Sequence, residues 1–311
     1  MNDTATSLNQ FQKAITKEKI NACLVQRGEE VILSYFRNPK MSSKLFQIHS
    51  VTKSVLSLLI GIAIERGQIT SIHTPISTYL PNVPLEKHTI TIEHLLTMTP
   101  GYEWPELTSW GGTPFPMIYS KDWVKFILEK GMERTPGEAM NYDSGASHLL
   151  SAILQKATGE KASAYARREL FAPLGIKEYR WPEDAKGITI GGFGLCLRAA
   201  DMLKLGLLVM NKGVWGKQRL LSEEWLSAST RAYYHTYDHV GSYGYHWWIL
   251  TDENNKAYEP AAFFAMGYGG QYILVALERQ LVIIMTSELF GNTFLPLRMV
   301  KSLLLPFLCD S

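Results

Sequence analysis

The chain has 311 residues, 46% of them hydrophobic and 19% charged, with a net charge of +2. This composition excludes a disordered, collagenous or coiled-coil chain, and the length allows two packed lobes or one large domain. No cluster of Lys and Arg interleaved with aromatics provides an electrostatic footprint for nucleic acid.

The first residues, Met-Asn-Asp-Thr-Ala-Thr-Ser, lack the basic and apolar regions of a secretion signal, so the expectation is a cytoplasmic protein. Residues 21–27 and 30–36 are two short strand-like runs around Gly28-Glu29 and predict a β-hairpin. From Ser50 the period changes: Val55, Leu58, Leu59 and Ile62 mark one face of a helix, which Gly67 ends. The longest apolar run, 55–64, is interrupted by Ser57 and Gly61 and falls far short of the ~20 residues of a membrane span. Further helices are predicted over 91–99, 121–130, Ser144–Thr158 and Ala199–Met210. Period two returns after about residue 235, predicting strands over 243–250, 272–278 and Leu281–Ser287, the last two joined as a hairpin by Arg279-Gln280. An amphipathic helix over 295–308 closes the chain. The order strands, helices, strands, helix predicts an α/β (α+β) fold with one antiparallel sheet built from both chain ends. Residues 1–68 and 235–311 form the expected sheet lobe and 69–234 an inserted helical lobe, with a ligand cleft between them. Cys23, Cys196 and Cys309 are too widely spaced for a disulfide framework or a Cys-x-x-Cys metal site; they read as small buried or partly exposed thiols.

Three elements carry chemistry. Ser50-Val51-Thr52-Lys53 is the only Ser-x-x-Lys, and it opens a helix, so Ser50 and Lys53 share a face one turn apart. A Ser hydroxyl needs a base, and a Lys amine serves if desolvation brings its pKa down from ~10.4. The helix N-terminus adds partial positive charge beside Ser50. The alternative for the same letters is an N-cap Ser followed by a solvated Lys. Tyr142-Asp143-Ser144 lies between a Pro136-Gly137 loop and a helix start. Tyr142 can pass the Ser50 proton to a leaving group and Ser144 can hold Lys53; otherwise they are a buried Tyr and a helix N-cap. Gly267-Tyr268-Gly269-Gly270-Gln271 precedes a strand and opens no helix, so it is not a dinucleotide loop. Its glycines allow close approach of a substrate, and the Gln271 N–H would join the Ser50 N–H as an oxyanion hole; a plain turn is the alternative.

Together these elements resemble the serine β-lactamase and penicillin-binding protein superfamily, and its class C-like branch in particular, which includes esterases, D-aminopeptidases and 6-aminohexanoate-dimer hydrolases. On that branch's pattern, Ser50 and Lys53 match Ser-x-x-Lys, Tyr142 and Ser144 match Tyr-x-Asn/Ser, and Tyr268 and Gly270 match Lys/His/Trp-x-Gly. The segments 91–101, Gly191-Gly192-Phe193-Gly194-Leu195 and 243–248 are similar to the family's connecting stretches. The resemblance implies a β-lactamase/transpeptidase-like fold and ping-pong acyl transfer through a Ser50 acyl-enzyme, without metal or organic cofactor, on a small ester, amide or lactam. Two departures weaken the lactam reading: Tyr268 stands where β-lactamases and DD-peptidases carry Lys, and Ser144 where Asn contacts acylamino groups. The expectation is therefore an ester or amide hydrolase, with a β-lactamase or DD-peptidase as alternative and an inactive ligand-binding module as the non-enzymatic one.

The remaining candidates read as structural. No Gly-x-Ser-x-Gly elbow supports a Ser-His-Asp triad. His94 and His49 are expected in packing or hinge roles, and His235, His239 and His246 lack metal-ligand spacing. Tyr102, Trp104 and Trp110 are candidates for the cleft mouth or for ordinary loop packing.

Overall fold

The computed structural model describes residues 2–237, 240–251, 256 and 261–305. In chain order its strands are β1 (Ile20–Arg27), β2 (Glu30–Phe36), β3 (Phe46–Gln47), β4 (Cys196–Leu197), β5 (Val214–Trp215), β6 (Gln218–Arg219), β7 (Tyr234–His235), β8 (Ser242–Tyr243), β9 (Trp248–Ile249), β10 (Ala262–Gly267), β11 (Gln271–Ala276) and β12 (Leu281–Ser287). The helices are α1 (Asn2–Thr16), α2 (Val51–Glu65), α3 (Ile92–Leu96), α4 (Phe115–Ile118), α5 (Trp123–Leu128), α6 (Ser144–Thr158), α7 (Ala162–Ala166), α8 (Ala199–Met210), α9 (Glu223–Ser229) and α10 (Leu295–Leu303).

Eight strands form one sheet in the order β2-β1-β12-β11-β10-β9-β8-β7. Its pairings are antiparallel, and the β1–β12 pairing, with Cys23 opposite Met285, joins the two ends of the chain. Alternation along the strands divides the core between the faces. Ala22, Leu24, Ile273, Val275, Val282 and Ile284 pack on one side with α2 and the helical segment. Cys23, Val25, Leu274, Ile283 and Met285 pack on the other with Phe11 of α1 and Leu297 and Val300 of α10. Both faces are therefore covered, as the uninterrupted burial of β11 and β12 requires.

Every residue of α2 from Val51 to Ala63 is buried. It passes between the sheet and the inserted helices, packing on β10 and β11 on one side and on α6 and α7 on the other. Gly61 makes room for Trp225 of α9: a Cβ there would lie 2.4 Å from Trp225 Nε1. Helix α8 falls within 69–234, yet it packs on β11 and β12, where Gly206 lets the helix approach Val282 and Ile273. The sequence boundaries assign α8 to the helical lobe, whereas its packing places it on the sheet.

Several elements differ from the sequence expectation. The aromatic run 243–250 is two short strands, because Gly244 packs against the Ser229 carbonyl and His246 turns the chain at φ +61°. Tyr243 consequently pairs with Trp248 across a hairpin. Helix α1 and strand β10 had no counterpart in the sequence reading. The last helix ends at Leu303, and residues 306–308 of the expected one lie outside the described residues, as does Cys309. No helix among the described residues is long and apolar enough to cross a membrane.

Candidate active site

Ser50 stands at the N-cap position of α2, and its side chain makes no capping bond to the helix. Its hydroxyl is therefore free for chemistry, where a capping Ser would be held by the N–H groups of the first turn. One turn on, Lys53 is 1% exposed, which excludes the solvated-Lys alternative. Its Nζ lies 3.2 Å from Ser50 Oγ, 3.0 Å from Ser144 Oγ and 2.8 Å from the Gly192 carbonyl oxygen. Tyr142 presents its ring face to the same amine at 4.8 Å and its hydroxyl to Ser50. The first two sequence motifs, 91 residues apart between Lys53 and Ser144, thus meet around one amine.

Electrostatics follow from burial. Desolvation brings Lys53 down to about 8, while the negative charges of Glu106 and Asp143 oppose it. An amine in that range is a usable proton acceptor near neutral pH. The Tyr142 phenol moves the other way, because burial raises it and the hydrogen bond to Ser50 only partly offsets this. Tyr142 therefore rests as a neutral phenol. Asp143 rather than Ser144 caps α6, its Oδ1 accepting from the Gly145 and Ala146 N–H groups at 2.6 and 2.9 Å. Burial raises its carboxyl to about 7.

Two supporting groups had no role at the site assigned from the sequence. Glu106, 3% exposed, accepts from Ser144 Oγ at 2.7 Å, from the Ser144 N–H at 2.8 Å and from Trp104 Nε1 at 2.8 Å. It fixes the hydroxyl that holds Lys53. A Glu in a loop of Pro and aromatics carries no signal of this in sequence. Gly192 supplies the carbonyl facing Lys53, and Gly191 beside it leaves no room for a side chain: a Cβ would lie 2.0 Å from the Ser147 carbonyl oxygen.

A cleft of ≈ 480 Å³ opens over Ser50. It is lined by Glu106, Leu107, the 111–113 loop, Tyr142, Tyr237, Val240, Trp248, Met266, Gly267, Tyr268, Thr293 and Phe294. The glycine-rich segment enters this cleft in a different register from the one read in the sequence. Gly267, at the end of β10, touches the segment before the nucleophile: a Cβ there would meet the Ile48 carbonyl oxygen at 2.2 Å and His49 Cβ at 3.2 Å. Tyr268 follows it on the cleft wall, but Gly270 and Gln271 do not line the cleft. The reason is the hairpin turn, in which Gly269 and Gly270 take φ +77° and +87° and carry the chain back into β11. Gly270 packs towards Ser287 and Pro296, and the Gln271 amide donates to the Ser287 carbonyl at 2.7 Å. Among the described residues, neither the Ser50 nor the Tyr268 N–H donates to a protein acceptor.

The other candidates take structural places. His94 Nδ1 accepts from the Thr91 N–H at the start of α3, and the ring of His49 packs edge-on against Tyr268 and Phe290. His246 is buried between Ser147 Oγ and the Leu96 carbonyl, at 3.1 and 3.0 Å. His235 is exposed on β7, and His239 lies outside the described residues. Tyr102 and Trp104 are buried and line a separate cleft of ≈ 460 Å³. Trp110 packs on Trp104 at 4.9 Å and does not reach the Ser50 cleft. No group of three or more His, Cys, Asp or Glu placed to hold a metal ion occurs among the described residues.

Comparison with known proteins shows what the chain is similar to. The model of the family described as Beta-lactamase matches residues 11–299. Penicillin-binding protein 4* of Bacillus subtilis (strain 168) is 26% identical over 149 residues, a match covering 46% of this chain and 32% of that protein. Esterase EstB of Burkholderia gladioli is 26% identical over 156 residues, covering 45% and 39%. These matches span only about a third to two-fifths of those two proteins' lengths. The 6-aminohexanoate-dimer hydrolase of Paenarthrobacter ureafaciens is 22% identical over 281 residues, covering 81% and 70%. Among solved structures, the penicillin-binding protein from Bacillus halodurans superposes with a TM-score of 0.74 at 20% identity, covering 94% of this chain and 99% of that one.

Proposed function

The chain belongs to the β-lactamase family, and we propose that it is a serine hydrolase cleaving an ester or amide bond of a small, uncharged substrate through a Ser50 acyl-enzyme. One observation carries this reading: Ser50, the only serine among the described residues lining the cleft, lies 3.2 Å from a fully buried amine that burial brings to about 8. Ser50 Oγ attacks the carbonyl carbon while its proton passes to neutral Lys53, directly or through the Tyr142 hydroxyl. The tetrahedral oxyanion is held by the Ser50 and Tyr268 N–H groups, neither of which donates to a protein acceptor among the described residues. Tyr142, a neutral phenol, then protonates the leaving group and is reprotonated from Lys53. Water repeats the sequence on the acyl-enzyme and releases the acid. Ser144, fixed by Glu106, and the Gly192 carbonyl hold Lys53 in place through both halves.

The uncharged-substrate reading rests on the lining: among the described residues no Lys, Arg or His contributes to the cleft wall, and the one carboxylate there belongs to Glu106. β-Lactams and D-Ala-D-Ala peptides carry a carboxylate beside the scissile bond, which would lose a charge-assisted hydrogen bond of ~1.5–3 kcal/mol. We expect kcat/KM for p-nitrophenyl butyrate to exceed that for nitrocefin by roughly ten- to a hundredfold, each normalised to its uncatalysed rate. Nitrocefin winning after that correction would restore the β-lactamase alternative. Absence of Ser50 labelling by a fluorophosphonate would point to a binding module instead.

A further inference from the structure

Large apolar side chains left in water are unremarkable when scattered, but a contiguous set at a cleft marks a binding surface. Among the described residues, ten such side chains are exposed. Four of them, Leu107, Tyr237, Tyr268 and Phe294, line the Ser50 cleft. Phe290 joins them through a ring contact with Tyr268 at 5.3 Å, so half of the set gathers at one mouth. Their exposures run from 37% for Phe294 to 54% for Tyr268, so each has apolar surface to lose. Deeper in the cleft the apolar lining continues through Val240, Trp248 and Met266.

Two polar side chains of the wall are already engaged within the protein. Glu106 is engaged by Ser144 and Trp104, and Thr293 Oγ1 accepts from the Gly269 N–H at 3.1 Å. A charged substituent would be desolvated there without a partner, whereas an apolar one buries both its own surface and the rim's. The cleft volume of ≈ 480 Å³ lies within the range of small-ligand sites.

We infer that the substrate carries an uncharged alkyl or aryl group, of about hexyl length or more, which the Leu107–Tyr268–Phe290–Phe294 rim covers while Ser50 attacks its ester or amide carbonyl. This rests on the hydrolase reading above. The test is the chain-length dependence of kcat/KM for p-nitrophenyl acetate, butyrate, hexanoate and octanoate, with alkyl acetates from ethyl to hexyl as the leaving-group series. One of the two series rises about two- to fourfold per methylene, and the one that rises tells which side of the bond faces the rim. Phe290→Ala and Phe294→Ala each lower the ratio between the long and short members of that series by fivefold or more. Leu85→Ala, an exposed apolar residue remote from the cleft, leaves the ratio unchanged. A flat profile in both series, with p-nitrophenyl acetate still hydrolysed, overturns the inference. So does faster cleavage of 6-aminohexanoyl than of hexanoyl p-nitroanilide, which would make Glu106 the selective group. Binding of 4-nitrophenyl hexyl ether and 4-nitroanisole to Ser50→Ala, followed by quenching of tryptophan fluorescence, needs no turnover. Tighter hexyl binding without ester hydrolysis by the native protein would sink the hydrolase reading and keep the rim; equal binding of the two ethers would sink the rim.

Discussion

Replacing Lys53 by Met removes a buried ammonium and leaves an apolar chain of similar length inside a buried helix. The ordinary amine value of 10.5 is brought to about 8 by burial. At ~1.36 kcal/mol per tenfold change in proton affinity, the folded protein then bears a penalty of about 3 kcal/mol for holding this group protonated. The sign follows from the unfolded chain binding the proton more tightly than the folded one. Below pH 8 the penalty is fully present; it declines as pH rises from about 8 to 10.5 and is absent above that. Met does not titrate, so the stability gap between Lys53→Met and the native protein should shift by about 3 kcal/mol in favour of the native protein between pH 7 and pH 10.5. At pH 7 the gap itself is small, because the variant also orphans the Gly192 carbonyl, at a cost of ~1–3 kcal/mol. Urea unfolding of both proteins at matched pH values measures the shift, and contributions from titrating groups not coupled to Lys53 cancel in the difference. A gap that stays constant across this range would refute the desolvated amine. The same amine predicts a kcat/KM profile that rises with pH and levels off above about 8, since only neutral Lys53 accepts the Ser50 proton.

Ser50→Ala should abolish turnover and prevent acyl-enzyme formation in mass spectra while shifting Tm by no more than a degree or two; an acyl adduct on any other residue sinks the assignment. Glu106→Gln should cost ~1–3 kcal/mol of stability, because an amide cannot accept all three of the donors now bonded to the carboxylate. It should also move the rising limb of the kcat/KM profile to lower pH, since the Glu106 charge raises Lys53; an unmoved limb would show that this charge does not reach the amine. Gly191→Ala should lose more than ~2 kcal/mol and most of the activity, because its Cβ would lie 2.0 Å from the backbone carbonyl oxygen of Ser147 and displace the adjoining Gly192 oxygen from Lys53. Wild-type thermal stability in that variant would mean the segment shifts freely.

What could be read before the fold was known follows from how local each signal is. Helices α6 and α8 match their predicted bounds because an apolar stripe of period 3.6 is confined to the segment that shows it. Gly159, at φ +73°, stops α6 directly after Thr158, its predicted last residue. Strand β10 passed unseen because Ala262–Gly267 is a nearly continuous apolar run, and such a run is ambiguous by period alone. Glu106 was invisible for a different reason: its role depends on Ser144, 38 residues away, and on the burial that both acquire on folding. In the third motif several glycines within four residues offered more than one register, and only contact with the chain before Ser50 selects Gly267. That change of register leaves the expected substrate class unaltered. If the pattern's Gly is Gly267, its first position falls on Ala265, which is buried and apolar, so neither register supplies an ammonium for a substrate carboxylate.

The burial that makes α2 read as a core helix is also what equips it for chemistry. A helix with a solvated face would leave Lys53 hydrated and protonated near neutral pH, and Ser50 would have no base. Because each residue from Val51 to Ala63 is buried, the amine loses its water and finds only the Ser50 and Ser144 hydroxyls, the Gly192 carbonyl and the Tyr142 ring. These neutral groups satisfy its hydrogen bonds without the full compensation a direct carboxylate contact would give. Glu106 stands one hydrogen bond further out, on the far side of Ser144, so its charge moderates the depression of Lys53 without cancelling it. Placing a carboxylate where Ser144 stands would form a direct ion pair and hold the amine protonated. A neutral side chain at that position and a carboxylate behind it therefore keep Lys53 both ordered and deprotonatable.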